Sequence, residues 1–519
     1  MNPFAGLGGW VGGCVALGAV ARVVRFFDGR SLWNDEAQLA LNIWGRDALA
    51  LLAPLDFGQS APYGFLLLER LTVLGFGPGE LALRGVSLFA GLLALPAFAW
   101  VALSVLSRRG AQVAVVLFAT SEPLIFYASE LKPYALDVAV AIGLLALFCR
   151  LEAGTLSVRR AWCLAIAGAV APWCSFPAVF ALAAAGVWLF ASAVRSPGGA
   201  AQAVVPRLGV VSAWAVSSAL LFWLQVQSAM GEPYLREFWS AGFAPWPPVG
   251  LEAWTWYART LSGFFADPLG LPPWWLSLAF GVLGIWQLGQ RSRVAVWWLL
   301  GPLAFGLVAS FLELYPLQTD PPVELSARLY PFVGRLWLFA VPAALLLVGE
   351  GIAAFGSRAP VSPRLVTVLL TVAVAGLSLR QFVINTLEPP VVQEFRPVAQ
   401  SLGQNAAAED SIWVHKGSEP TFEYYARRLG LQVRARNVAG GSPEDLAVLD
   451  RALAEWSAPG RVWFVSLDHP AWQLGDSFAA VTAGLGAVAE VEAVFEAPGA
   501  IAVGYRLRSP AENDATASD

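Results

Sequence analysis

The residues best suited to chemistry in this sequence are ionisable side chains at the edges of long apolar runs. Asp35 and Glu36 stand side by side in Ser31-Leu32-Trp33-Asn34-Asp35-Glu36, just after the first apolar run. Adjacent carboxylates beside a membrane can hold a divalent metal. Alternatively, one can act as general base while the other positions a metal or a sugar hydroxyl. The same residues also suit a helix start, with Asn34 or Asp35 as cap and the acids favoured by the helix dipole. A second group is Tyr127-Ala128-Ser129-Glu130-Leu131-Lys132-Pro133-Tyr134, with Asp137 three residues further on. Ionisable groups at membrane depth are costly and mark functional positions, although Glu130 and Lys132 can also simply neutralise each other. Pro133 breaks a helix here and allows an irregular turn that lines a cavity. A third group is Gln59-Ser60-Ala61-Pro62-Tyr63, followed by Glu80 and Arg84. A fourth, Tyr330-Pro331-Phe332-Val333-Gly334-Arg335, leads into a late apolar run. Arg335 can reach lipid headgroups by snorkelling or grip a phosphate with its planar fork.

The elements that must position these residues are membrane helices. Of 519 residues, 57% are hydrophobic and 13% charged; a soluble domain carries about a quarter charged. Tryptophan (23) and phenylalanine (31) are plentiful, as suits rings at two membrane–water interfaces. The net charge of −4 comes without a basic cluster, so no nucleic-acid partner is expected. Apolar runs at 7–24, 84–106, 111–127, 134–151, 161–176, 177–194, 208–228, 273–289, 294–312, 335–354 and 364–384 predict about eleven spans. The first, with no charged region ahead of it, reads as a retained span. Pro172 and Pro177 divide the stretch 161–194 into two spans. Short connections with Arg108, Arg109, Arg150, Arg159, Arg160, Arg195, Arg207, Arg291, Arg293, Arg358 and Arg364 fall on one side, which the positive-inside rule makes cytoplasmic. The N-terminus is then inside, and the segments 25–83, 229–272 and 313–334 lie outside. In 229–272, Trp239, Trp246, Trp254 and Trp256 suit interfacial helices; 313–334 reads as an ordered loop.

Composition changes near 390. Residues 411–415, 461–467 and 500–507 read as strands, and 420–429 and 443–457 as amphipathic helices. The expected organisation is a transmembrane domain over 1–389, a small extracytoplasmic α/β domain over 390–508 and a disordered tail over 509–519. Cys14, Cys149, Cys163 and Cys174 lie in apolar stretches and read as small core residues. His415 and His469 are far from the acidic motifs.

In their order and membrane side, these motifs resemble those of the GT-C superfamily of membrane glycosyltransferases. The likeness is to the bacterial branch (family 39-like) related to protein O-mannosyltransferases and lipid A aminoarabinose transferases. Trp33-Asn34-Asp35-Glu36-Ala37 is similar to that family's W-x-D-E-A. Ala61-Pro62-Tyr63 is a degenerate form of its P-P-L-Y stretch. Glu80 to Arg84 matches E-x-x-x-R, Tyr127 to Leu136 matches Y-x-x-E-x-R-P-Y-A-L, and Tyr330 to Arg335 matches Y-P-x-x-x-R. The likeness covers about residues 5–355. Two departures matter. Lys132 stands where the family has arginine, which keeps the charge and loses the fork. Ala61 stands where the aminoarabinose enzymes have a lysine.

The resemblance implies a polytopic α-helical, GT-C-like fold in the bacterial inner membrane. It implies transfer of a hexose or pentose from a polyprenyl-phosphate donor to a glycan, glycolipid or protein acceptor outside the cytoplasm, with inversion. Asp35 would be the base, with Glu36 and Glu130 as the accompanying catalytic acids. Lys132, Arg335 and Arg84 would hold the donor phosphate. Tyr127, Tyr134, Tyr63 and Asp137 would contact substrate, and Asp35 with Glu130 could share Mg2+ or Mn2+. Two other readings share the charges and spans: a transporter or lipid flippase, and a catalytically inactive scaffold of the same fold. Transporters usually show repeated halves and helices broken near the midplane, neither of which the sequence has.

Overall fold

The computed structural model describes residues 8–151, 156–194, 200–227, 231, 237, 239–271, 273–317, 334–360, 362–388, 393–407, 409–431, 434–438, 456, 461–467 and 474–507. In chain order the helices are α1 (Gly8–Phe26), α2 (Asn34–Gly45), α3 (Tyr63–Phe76), α4 (Glu80–Leu83), α5 (Gly85–Val105), α6 (Arg108–Thr120), α7 (Glu122–Tyr127), α8 (Tyr134–Phe148), α9 (Val158–Cys174), α10 (Ala178–Val194), α11 (Ala200–Leu221), α12 (Gly250–Ala266), α13 (Trp274–Gly289), α14 (Arg293–Phe311), α15 (Val341–Gly356), α16 (Pro363–Leu387), α17 (Phe395–Asn405), α18 (Glu419–Leu429) and α19 (Leu474–Val488). The strands are β1 (Ser411–His415), β2 (Arg434–Val438), β3 (Val462–Leu467), β4 (Ala489–Ala497) and β5 (Ala500–Leu507). Contacts divide the chain into two units. One holds Met1–Asp28, Arg46–Asp320 and Phe332–Pro389; the other holds Gly29–Gly45, Pro321–Pro331 and Pro390–Asp519.

The first unit is helical, and each apolar run named above is helix over most of its length. Among the described residues, Gly9–Phe26, Gly85–Val105, Val204–Val226, Arg293–Phe311, Arg335–Gly356 and Pro363–Leu387 are long and apolar enough to cross a membrane. Shorter apolar helices are α8, α10 and α13. The stretch 161–194 forms two helices, parted at Ser175 and Pro177. Large apolar side chains point outward, among them Phe89, Val216 and Val372. Water would penalise that arrangement, whereas hydrocarbon accepts it.

Close helix contacts rest on small residues. A Cβ on Gly284 of α13 would overlap the carbonyl of Leu347, and one on Gly351 of α15 would overlap the carbonyl of Phe280. The backbones of α13 and α15 therefore touch, the packing that small residues permit inside a membrane.

One end of this unit is tied by Glu350. Its carboxylate accepts from Arg291 Nη1 at 2.7 Å and from the Ser107 hydroxyl and N–H at 2.8 and 3.0 Å. Ser107 Oγ in turn accepts from the Gly110 N–H and caps α6. Nearby, Arg358 Nη2 donates to Gln287 at 2.9 Å. The connections that carry Arg108-Arg109, Arg291 and Arg358 thus meet at one end. From there α6 runs to Thr120, whose carbonyl accepts from the Ser378 hydroxyl of α16 at 2.9 Å.

The second unit contains a five-stranded sheet in the order β2-β1-β3-β5-β4. β1 runs parallel to β2 and β3, while β5 pairs antiparallel with β3 and β4. Trp413, Val462, Phe464, Val481 and Leu485 form its core. The expected strands at 411–415, 461–467 and 500–507 and the helix at 420–429 are present. The helix expected at 443–457, save for Trp456, lies outside the described residues, as do the tail 509–519 and residues 318–333 of the expected loop.

Candidate functional site

In the helical unit the site builds from the break between α6 and α8. Ser121 parts α6 from the six-residue α7, Pro123 stands in the first turn of α7, and residues 128–133 turn the chain into α8. Every residue from Ser121 to Pro133 is buried. Irregular backbone at membrane depth is tolerated when protein covers it. Local bonds satisfy part of it: Ser129 donates from N and Oγ to the Phe126 carbonyl at 3.0 and 2.9 Å. The Ser87 hydroxyl of α5 donates to the Lys132 carbonyl at 3.1 Å. Gly91 of α5 admits the turn, since a Cβ there would lie 2.8 Å from the Ala128 methyl.

This turn presents ionisable groups together. The rings of Tyr127 and Tyr134 meet edge to face at 5.2 Å. Arg335, Asp267, Tyr134 and Glu130 are all close enough to act electrostatically on Tyr127. Asp267 also accepts from the Gly334 N–H at 3.3 Å, one residue before Arg335. A Cβ on Gly334 would overlap the Asp267 carbonyl, so glycine is required at that step. Lys132 projects its ammonium to Gln59 Oε1 at 2.9 Å, which brings the third sequence group to the second. Tyr63 opens α3, donates its N–H to Gln225 Oε1 at 3.0 Å and packs on Trp173. Arg84 is buried at the end of α4. Tyr330, Pro331, Phe332 and Val333 lie outside the described residues.

Asp137 hydrogen-bonds Ser175, at the break between α9 and α10. Beyond α14, burial pushes the Tyr315 hydroxyl well above its ordinary pKa, with Asp137 and Tyr134 adding to the effect. Tyr315 therefore stays a neutral donor, and its hydroxyl donates a hydrogen bond to the Leu336 carbonyl at 2.7 Å.

Asp35 and Glu36 belong to the second unit. The N–H groups of Glu36 and Ala37 both donate to the Trp33 carbonyl at 2.9 Å, so the cap position falls on Trp33, ahead of both expected caps, Asn34 and Asp35. Asn34 instead uses its side-chain oxygen to accept from the Thr421 hydroxyl at 3.0 Å. Of residues 30–37, Asp35 alone is partly exposed, and Glu36 is fully buried. No group of three His, Cys, Asp or Glu side chains suited to a metal occurs among the described residues.

No family model and no curated protein matches the sequence. Solved structures do. ArnT from Cupriavidus metallidurans, in the apo state and bound to undecaprenyl phosphate, superposes with a TM-score of 0.57 at 16% identity. The match covers 96% of this chain and 98% of ArnT. The chain has the GT-C fold. A mycobacterial arabinofuranosyltransferase, AftD, shares the GT-C fold at a TM-score of 0.51 and 14% identity. That match covers 96% of this chain and 41% of AftD.

Within this GT-C fold, sequence reasoning passed over two residues beside the tyrosine pair. Arg22 of α1 is buried and lines a cavity of about 10 Å³ with Tyr127, Tyr134, Phe118 and Leu338. It donates to the carbonyls of Gly18, Ala119 and Phe118. An arginine amid an apolar run was the available signal. Asp267, in Asp267-Pro268-Leu269-Gly270, was a lone acid among tryptophans and prolines, where composition points to the interface rather than to a site.

Proposed function

We propose that this protein is a membrane glycosyltransferase. It moves a monosaccharide, a hexose or pentose, from a polyprenyl-phosphate donor to an acceptor hydroxyl outside the cytoplasm. The observation that carries the reading is the buried turn at 121–133. It gathers Tyr127, Tyr134, Glu130 and Arg335 in a bundle whose outer faces suit lipid. The likeness to ArnT, solved with undecaprenyl phosphate, supports a lipid-linked donor.

In this reading Lys132, Arg335 and Arg84 hold the donor phosphate. The acceptor hydroxyl attacks the anomeric carbon as the bond to phosphate oxygen breaks, inverting the centre. Asp35 takes the hydroxyl proton, and polyprenyl phosphate leaves with the bonding electron pair. The cations stabilise the charge that grows on the phosphate, where preorganised donors are most effective. Glu130 orients sugar or acceptor, and Tyr127, Tyr134, Tyr63 and Asp137 line the substrate's path. The chain sits in the bacterial inner membrane with its N-terminus cytoplasmic and its α/β domain outside.

The test supplies purified protein in proteoliposomes with a panel of radiolabelled undecaprenyl-phosphate hexoses and pentoses and an envelope lipid extract. One panel member should give a labelled product, and Asp35→Asn should give none while remaining folded in the membrane. Normal transfer by Asp35→Asn defeats the mechanism. Movement of labelled lipid across the bilayer without a new glycosidic bond establishes the transporter reading instead.

A further inference from the structure

The approach to Asp35 is held by residues that lie at the far end of the sequence. The Leu32 N–H donates to the Tyr425 hydroxyl at 2.8 Å, and the Asn34 N–H donates to Gln393 Oε1 at 2.8 Å. Ser31 donates to Glu394 from its N–H at 3.1 Å and from its hydroxyl at 2.8 Å. Thr421 donates to the Asn34 side chain. Further along α2, Trp44 meets the Tyr424 ring edge to face at 6.1 Å. Residues 31, 32 and 34 thus each find an acceptor for the main-chain N–H on residues 393–425, before the helix's own ladder begins. Tyr424, Tyr425 and Thr421 are fully buried. α17 and α18 form one wall around the segment, and of residues 30–37 Asp35 alone is left partly open.

We infer that the C-terminal α/β unit is a positioning part of the transfer machinery. Tyr425, Thr421 and Gln393 set the backbone from which Asp35 is presented. This rests on the reading of Asp35 as the base. The unit does more than cap the chain: without these acceptors the first turn of α2 has no fixed direction, and a base misplaced by about 1 Å can lose some hundredfold in rate.

The test uses the full-length protein in nanodiscs and isosteric changes that remove hydroxyls only, Tyr425→Phe with Thr421→Val. Hydrogen–deuterium exchange of the peptide spanning 29–45 should quicken at least tenfold, while peptides of β1 and β3 keep their rates. With the undecaprenyl-phosphate sugar that the parent consumes, kcat should fall at least tenfold and KM for donor should stay within twofold. Thr421→Ser, which keeps the hydroxyl, should match the parent in both readouts. Unchanged exchange across 29–45 overturns the inference, as does full kcat in the double variant alongside an inactive Asp35→Asn. An active Asp35→Asn instead removes the function reading itself, so the two failures are distinguishable.

Discussion

Arg25 donates from Nη1 to the main-chain carbonyl of Asn385 at 2.7 Å, joining points 360 residues apart. The same nitrogen ion-pairs with Asp28 at 2.9 Å, and the guanidinium lies over the Phe126 ring. Asn385 then donates to Glu122 at 2.8 Å. These residues stand just ahead of the two long passages of the chain into the second unit, after Asp28 and after Pro389. Arg25 and Asn385 are buried whereas Asp28 is exposed, so the cost of losing Arg25 lies mainly in the Asn385 carbonyl left without its donor, about 1–3 kcal/mol. Arg25→Ala should therefore lower the unfolding temperature of the helical unit by several degrees. Arg25→Lys, which keeps the charge and loses the fork, should fall between variant and parent. Thermal unfolding in detergent measures both, and an unchanged midpoint for Arg25→Ala speaks against a stabilising role for the Arg25–Asn385 bond.

The contact between α13 and α15 leaves no room for a methyl group. Gly351→Ala and Gly284→Ala should each push the two backbones apart, costing about 1–3 kcal/mol through overpacking. Gly143→Ala is the control, because a Cβ there meets nothing within 4 Å. Expression level and monodispersity in detergent compare the three, and equal behaviour contradicts the packing account.

The bond from Lys132 to Gln59 is expected to shape donor binding. Lys132→Met should reduce donor turnover by about a hundredfold, the scale set by losing one charge-stabilising donor. Gln59→Leu, which leaves the ammonium but removes this acceptor, should have a smaller effect, felt mainly in KM for the donor. Steady-state consumption of an undecaprenyl-phosphate sugar separates the two. A Lys132→Met protein with parental kcat removes the phosphate role.

In the second unit, Asp410 predicts a pH dependence. Burial alone would raise its pKa. Bonds from the Ala407 N–H, the Trp463 indole, and the Arg461 N–H and guanidinium outweigh burial and lower it. A carboxyl whose folded pKa lies below its unfolded value of about 3.9 stabilises the fold above that value. The contribution fades as pH falls through the lower, folded value. Hydrogen exchange of β3 should therefore be flat from pH 7 to about 5 and rise below about 4 after correction for intrinsic rates. Asp410→Asn should exchange faster at pH 7 and show a shallower acid rise. Parental protection in that variant at pH 7 rules the cluster out as a stabiliser.

The helices of the first unit were legible because hydrocarbon demands long apolar runs, and such runs dominate the sequence. The buried turn was legible for the opposite reason, since Glu130, Lys132 and Asp137 interrupt those runs. β1, β3 and β5 announce themselves through β-branched and aromatic residues, but β2, Arg434-Ala435-Arg436-Asn437-Val438, lies at the sheet edge and reads as loop. β4 at the other edge carries Glu490, Glu492 and Glu496, which hide it in the same way. Arg22 was missed because an arginine near the end of a span reads as an anchor until its burial is seen. Nothing local could reveal that residues 29–45 pack with α17 and α18, because the contacts that place them are non-local.

That last arrangement also sets a timetable for synthesis. Asn34 and its partner Gln393 are separated by 359 positions. At about 5–20 residues per second, roughly 20–70 s of translation separates their appearance. Through that interval α2, whose Ala37, Leu39 and Ile43 are nearly inaccessible in the finished protein, lacks the α18 side chains against which it packs. The acid proposed to do the chemistry thus acquires its setting among the last steps of folding. A ribosome that stops short of Tyr425 releases a chain rich in membrane helices but lacking the final acceptors around Asp35.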